Sequence, residues 1–139
     1  MTVHLIKLAA GIDKIAALAE RQKNIQTRHG RLVHITRNHP KRVAELLDGG
    51  SLYWVIKRQI RARQRITDIE SVTDKTGTRH CHIILHPKLV LTRPQARRPF
   101  QGWRYLPSAD APEDLPPPIK GSDELPPDMR AELAALGLL

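Results

Sequence analysis

Apolar and polar positions alternate with two different periods along the first half of the chain, and the changes of period mark the elements. In TVHLIKLAA, Val3 and Leu5 set against His4 and Ile6 predict a first strand, stopped at Gly11. Ile12, Ile15, Ala16, Leu18 and Ala19 then recur at helical spacing, which predicts an amphipathic helix from Asp13 to about Ile25 with Lys14, Arg21 and Lys23 toward water. After TRHGR, the segment RLVHITR reads as a short strand. Pro40 in a first helical turn and Gly49–Gly50 after the last leucine bound a helix from Pro40 to Leu47, expected to bury Val43, Leu46 and Leu47.

Sheet patterning follows. SLYWVIK is aromatic and β-branched, and IRARQRITDIESV alternates over a longer span. The turn DKTG predicts a hairpin pairing Ile66 to Val72 with Arg79 to His86, and Leu89, Val90 and Leu91 supply one more short strand. Five or six strands and two helices before residue 106 give an α+β fold, a small and mostly antiparallel sheet with two flanking helices, either open or closed into a small barrel. From Pro107 the composition turns to Pro, Asp and Glu, too poor in apolar residues to offset the entropy of ordering. The expected organisation is a basic α/β domain over 1–106 and an acidic Pro-rich tail over 107–139. The tail ends in a short helix whose stripe of Met129, Leu133 and Leu136 docks on its own domain or on a protein partner.

Charge sharpens this division. The formal net charge is +9, and residues 1–106 hold 21 basic against 7 acidic side chains while 107–139 hold 2 against 7. A body this basic attracts polyanions. The acidic tail is expected to fold back over it and compete with weakly held ligands. The single cysteine, Cys81, has no disulfide partner in the chain, and MTVHLIKLAAGIDK lacks the layout of a signal peptide. Together with the lack of any long apolar run, these features predict a cytoplasmic protein with no membrane partner.

Two clusters concentrate the positive charge. In RQIRARQRI, Arg61, Arg63 and Arg65 fall on every second residue, and no acidic residue occurs between Asp48 and Asp68. Residues two apart on a strand lie about 6.5 to 7 Å apart on one face. That spacing suits the successive phosphates of an extended single strand, with Lys57 and Arg58 extending the patch and Ile60, Ala62, Gln64 and Ile66 facing inward. TRPQARRPFQGWRYLP reads as an extended loop in which Arg93, Arg97, Arg98 and Arg104 interleave with Phe100, Trp103 and Tyr105. Cations for phosphates beside aromatic faces for unpaired bases are the means by which single-stranded RNA is held.

Enzyme motifs are sparse. His34-Ile-Thr36 fits half of the His-x-Thr pattern of two-histidine phosphoesterases, and His82 stands on a second strand without the hydroxyl. His80 and His82, with His86 or His4, are the start of a metal-ligand set that lacks a defined third ligand. There is no Gly-rich phosphate loop and no nucleophile elbow, and Cys81 has no acidic orienter near it in sequence. No catalytic residue, metal ligand or cofactor is assigned.

The run HITRNHPKRVAELLDGGSLYWVIK, followed by RQRI and TRPQARRPFQGWRYL, resembles the uncharacterised, mainly alpha-proteobacterial family called domain of unknown function 1489, over most of residues 1–106. That resemblance implies a cytoplasmic bacterial protein and no particular activity. LLDGGSLYWVIK is similar to the entry of PUA-like barrels, including ASCH and EVE domains, which implies a barrel and an RNA or modified-base ligand. The resulting expectation is a nucleic-acid-binding module, RNA above DNA. Its site is Lys57, Arg58, Arg61, Arg63, Arg65, Arg97, Arg98, Trp103, Arg104 and Tyr105, with Trp54 as a further stacking surface. The alternatives are a protein-interaction or ribonucleoprotein assembly factor acting through the tail, and a phosphodiesterase using His34 and His82.

Overall fold

The computed structural model describes residues 2–98 and 100–115. The expected terminal helix, and the tail beyond Leu115, lie outside the described residues. Strand β1 (Val3–Leu8) leads into helix α1 (Ile15–His29), strand β2 (Val33–Thr36), the single turn α2 (Val43–Leu47) and strand β3 (Ser51–Ile56). Four strands follow, β4 (Gln59–Thr73), β5 (Arg79–Leu85), β6 (Val90–Ala96) and β7 (Trp103–Pro107). The fold is α+β, as the alternation implied.

All seven strands form one sheet in the order β2-β5-β4-β3-β1-β7, with β6 paired to β4. β1 and β3 run parallel, as a connection long enough to carry α1, β2 and α2 allows, and every other pairing is antiparallel. β4 organises the rest. Its first half lies between β3 and β6, and its second half forms the expected hairpin with β5, from Ile66 opposite Leu85 to Thr73 opposite Arg79. The sheet is open. Among the described residues β2 and β7 end the path without pairing to each other, so the barrel that the PUA-like resemblance implied is not closed by backbone bonds.

One face of the sheet carries the main core. Leu5, Leu52, Trp54, Ala62, Ile66, Ile83 and Leu91 pack there against Ile15 and Leu18 of α1 and Leu46 of α2. α1 buries Ile15, Leu18 and Gln22, three and four residues apart on a single stripe, and ends at Gly30, whose φ of 75° is the left-handed stop. The opposite face holds a second cluster, Ile6, Tyr53, Val55, Ile60 and Leu106, with Phe100 and Ala111 packed on it. β3 is buried on both faces for this reason.

α2 is shorter than Pro40–Leu47. The backbone N–H groups of Lys41 and Arg42 donate to the phenol oxygen of Tyr105 at 2.7 and 3.2 Å, and Arg42, with φ −93° and ψ 47°, is still outside the helix. Within α2 only Leu46 is fully buried, whereas Val43 is half-buried and Leu47 is exposed. The segment read as a loop, TRPQARRPFQGWRYLP, contains most of β6 and all of β7. Pro94 and Pro107 are tolerated because β6 and β7 are edge strands, where a missing N–H leaves no ladder bond broken.

The chain stays on the sheet after Leu106. Ser108–Asp110 form one 3-10 turn, Arg93 donates its backbone N–H to Glu113, and Leu115 donates to Leu91, covering the outer edge of β6. Asp114 makes two bonds to Arg63, Nε to Oδ1 at 2.7 Å and Nη2 to Oδ2 at 2.6 Å. The first stretch of the acidic segment therefore lies on the basic sheet.

Candidate nucleic-acid interface

Residues paired across strands share a face, so the register places the candidate side chains directly. Trp103, Lys7, Trp54 and Ala62 form one row across β7, β1, β3 and β4, and Tyr105, Leu5, Leu52 and Gln64 form the next. Trp103 and Tyr105 are thus edge-strand residues on the helix-covered face, their rings meeting edge to face at 5.1 Å. Trp103 Nε1 donates to the Asn38 carbonyl at 3.0 Å, and Tyr105 holds Lys41 and Arg42. The two aromatics fasten segment 38–42 across the open end of the sheet.

This fastening creates a basic cleft. Arg37, Asn38, His39, Lys41, Arg79, Trp103 and Tyr105 line a space of about 560 Å³, and none of the seven is acidic. Arg37, Lys41 and Arg79 are exposed. Arg42, beside the cleft, lies over the Tyr105 ring at 5.4 Å and pairs with Glu45, whose carboxyl it holds below the usual range by hydrogen bonding and by charge. A second cleft of about 570 Å³ also borders Tyr105 and contains Arg97, Arg98, Phe100, Arg104 and Asp110. The Arg104 guanidinium lies 5.4 Å from the Phe100 ring centre.

The row of three arginines is broken up. A bulge between Ile60 and Ala62 shifts the register, so Ile60 packs in the second cluster while Ala62 packs in the main core. Arg61 is buried at 7 % exposure, Arg63 is committed to Asp114 and to Ser51 Oγ at 3.0 Å, and Arg65 alone of the three is exposed. Hydrogen bonding to Asp114 raises the Arg63 pKa and lowers that of the carboxylate. Trp54 is also unavailable at the surface, being 6 % exposed with Nε1 donating to Gln64 Oε1 at 2.9 Å.

Lys57 and Arg58 form the two-residue turn between β3 and β4, and both have positive φ, 51° and 64°. Asn-Gly is the sequence that this turn favours, because Gly lacks a Cβ and the short polar side chain of Asn tolerates the left-handed region, whereas Lys and Arg are strained there. Changing Lys57→Asn together with Arg58→Gly should stabilise the fold by about 1 to 2 kcal/mol, read as a higher urea midpoint. Arg97 donates its N–H to the Arg58 carbonyl at 2.8 Å, which brings Arg97 and the exposed Arg98 beside this turn.

Geometry separates the histidines. Ile35 pairs with His82 and His34 with Ile83, so His34 faces the core while His82 lies on the opposite face. The two cannot address one phosphodiester, which removes the geometric basis for a two-histidine mechanism. His80 Nε2 bonds Asp74 at 2.8 Å, His4 Nδ1 accepts from the Ser51 N–H, and His86 Nδ1 accepts from the Lys88 N–H. Among the described residues no three His, Cys, Asp or Glu side chains converge to hold a metal. Cys81 is buried in the main core, where desolvation raises its thiol pKa.

Residues 5–139 match the family described as Protein of unknown function (DUF1489). The chain belongs to that family. No curated protein and no solved structure matches it. Among the described residues of this DUF1489 chain, no helix is long and apolar enough to cross a membrane. Arg37, His39, Lys41 and Arg79 were not among the site residues read from the sequence. The signal for them is the run TRNHPKR, which holds three cations and a histidine and no acid, although only the fold brings Arg79 to it.

Proposed function

We propose that this protein binds single-stranded nucleic acid, RNA above DNA. Phosphates are held by Arg37, Lys41 and Arg79, unpaired bases rest against Trp103 and Tyr105, and Arg97, Arg98 and Arg104, in the second cleft with Arg104 on the other face of β7, meet the strand where it passes around that edge. The observation that carries this reading is the cleft between segment 37–41 and β7, where cations and aromatic rings line one space with no carboxylate among the described residues. Positive charge alone would suit any polyanion. Aromatic faces beside it favour bases outside a duplex, and unpaired loops and ends are where RNA is most often read.

Arg65, Lys57 and Arg58 remain exposed to contribute a more distant phosphate contact, whereas Arg63 contributes only if the strand displaces Asp114. The test is purification at low salt, followed by nuclease digestion and sequencing of the bound material. A defined set of RNA fragments supports the proposal. Protein free of nucleic acid that also fails to shift labelled single-stranded RNA at about 50 mM salt, where phosphate contacts are strong, contradicts it.

A further inference from the structure

A cavity of about 170 Å³ lies between α1 and the sheet, and its walls differ from those of the basic cleft. Leu18, Ile25, Leu32 and Leu85 make most of it apolar, while Lys7, Arg21 and His34 also line it. Its size is diagnostic: an engineered cavity of about 150 Å³ holds one benzene ring. The volume matches a single six-membered ring more closely than a fused purine.

Three polar features argue that the space is built for a ring with polar edges. Among the described residues His34 Nε2 is buried with no hydrogen-bond partner, an arrangement that burial makes costly unless something else supplies the bond. The His34 ring stands edge-on to Trp54 at 5.5 Å and is held there by packing. Gln22, which also lines the cavity, spends one N–H and one lone pair on a reciprocal amide pair with Gln64, leaving a second N–H. Arg21 Nη1 is tied to the Ala10 carbonyl at 2.9 Å, which fixes a guanidinium near the chain turn that borders the cavity.

The cavity is next to the basic cleft. Lys7 lines the cavity and pairs in register with Trp103, which lines the cleft, and His34 precedes Arg37 by three residues on the way out of β2. We propose that this cavity receives one pyrimidine-sized nucleobase, with His34 meeting its polar edge and Lys7 and Arg21 meeting its phosphate. The inference rests on the nucleic-acid reading above and adds base selectivity to it. The same chemistry is offered by a nucleotide within RNA and by a free pyrimidine mononucleotide.

The experiment compares equal-length labelled oligouridylate, oligocytidylate and oligoadenylate by fluorescence anisotropy, with uridine and cytidine monophosphate titrated calorimetrically. The variants are Ala10→Leu, an exposed position bordering the cavity, and His34→Phe, which keeps the ring's bulk without its nitrogens. Tighter binding of the pyrimidine oligomers, by about tenfold as one buried hydrogen bond gives, supports the proposal if both variants lose the preference and keep the salt dependence. If His34→Phe fails to fold, Ala10→Leu decides alone.

Equal binding of all three oligomers overturns the cavity's role and leaves the cleft standing. Mononucleotide binding that Ala10→Leu abolishes, with no oligomer bound, supports the cavity ligand and overturns the strand-binding cleft. No binding of any probe overturns both.

Discussion

Gly50→Ala is expected to destabilise the protein by about 4 kcal/mol, or to prevent folding, because small backbone shifts cannot relieve a clash with main-chain atoms on two sides. A Cβ on Gly50 would lie 2.3 Å from the Leu46 carbonyl oxygen and 2.5 Å from that of Val3. These oxygens belong to α2 and to β1, so moving either disturbs the seating of the helix on the first strand. The Gly50 N–H also donates to Leu46 at 2.9 Å, and its carbonyl accepts from Ile66 at 2.9 Å. Gly49 is the contrast. Its φ is 80° but the space around it is open, so Gly49→Ala should cost only the left-handed penalty of about 1 to 2 kcal/mol. Urea unfolding should rank wild type first, Gly49→Ala second and Gly50→Ala last. Equal midpoints for the two variants would show that the close approach is not tight.

Acidification supplies the second large effect. Burial, with a smaller contribution from Lys7, lowers the His34 pKa from 6.5 to about 4. The unfolded chain therefore takes up a proton at this site below about pH 6.5 while the native protein does not, so stability falls as pH falls and levels off below about pH 4. Each pH unit between those two values removes about 1.4 kcal/mol, so the full loss is about 3 kcal/mol. His4, also lowered by burial and then by Arg63, adds to the same slope. Asp74, Asp114, Glu45 and Glu70 are held below their usual values by hydrogen bonds, so their contributions are lost at lower pH. Urea unfolding between about pH 7 and pH 4.5 should show a clearly steeper slope in the wild type than in His34→Phe, which keeps only the His4 part. An unchanged slope in the variant would place the titrating group elsewhere.

The local elements were legible because each has a local cause. The α1 stripe, the β4–β5 hairpin around DKTG and the β3 strand follow from periodicity and turn residues. The helix stop at Gly49 is equally local. β7 was not legible. It lies in a segment whose prolines and arginines read as loop, and only pairing to β1 makes it a strand. α2 begins at Val43 rather than Pro40, and the segment before it is held by the Tyr105 phenol, sixty-four residues from Lys41, a partner that no window of sequence contains.

The same limit governs the site. Alternation placed Arg63 and Arg65 on one face correctly, but the bulge before Ala62 and the ion pair from Asp114 are tertiary events. They break the even row that spacing implied. The Arg/aromatic segment fared better: Trp103 and Tyr105 do sit beside cations, although most of those cations come from residues 37–41 and from Arg79.

The most direct test of the nucleic-acid reading is the salt dependence of single-stranded RNA binding in the wild type and in a triple Arg37→Ala, Lys41→Ala, Arg79→Ala variant. Each neutralised phosphate of a single strand contributes about −0.7 to the slope of log affinity against log salt. Losing three contacts should therefore make the slope shallower by about 2. That change, with the urea midpoint kept, is the predicted result. A variant whose affinity and slope match the wild type would contradict strand binding in the cleft and leave its cations as ordinary solvated charge.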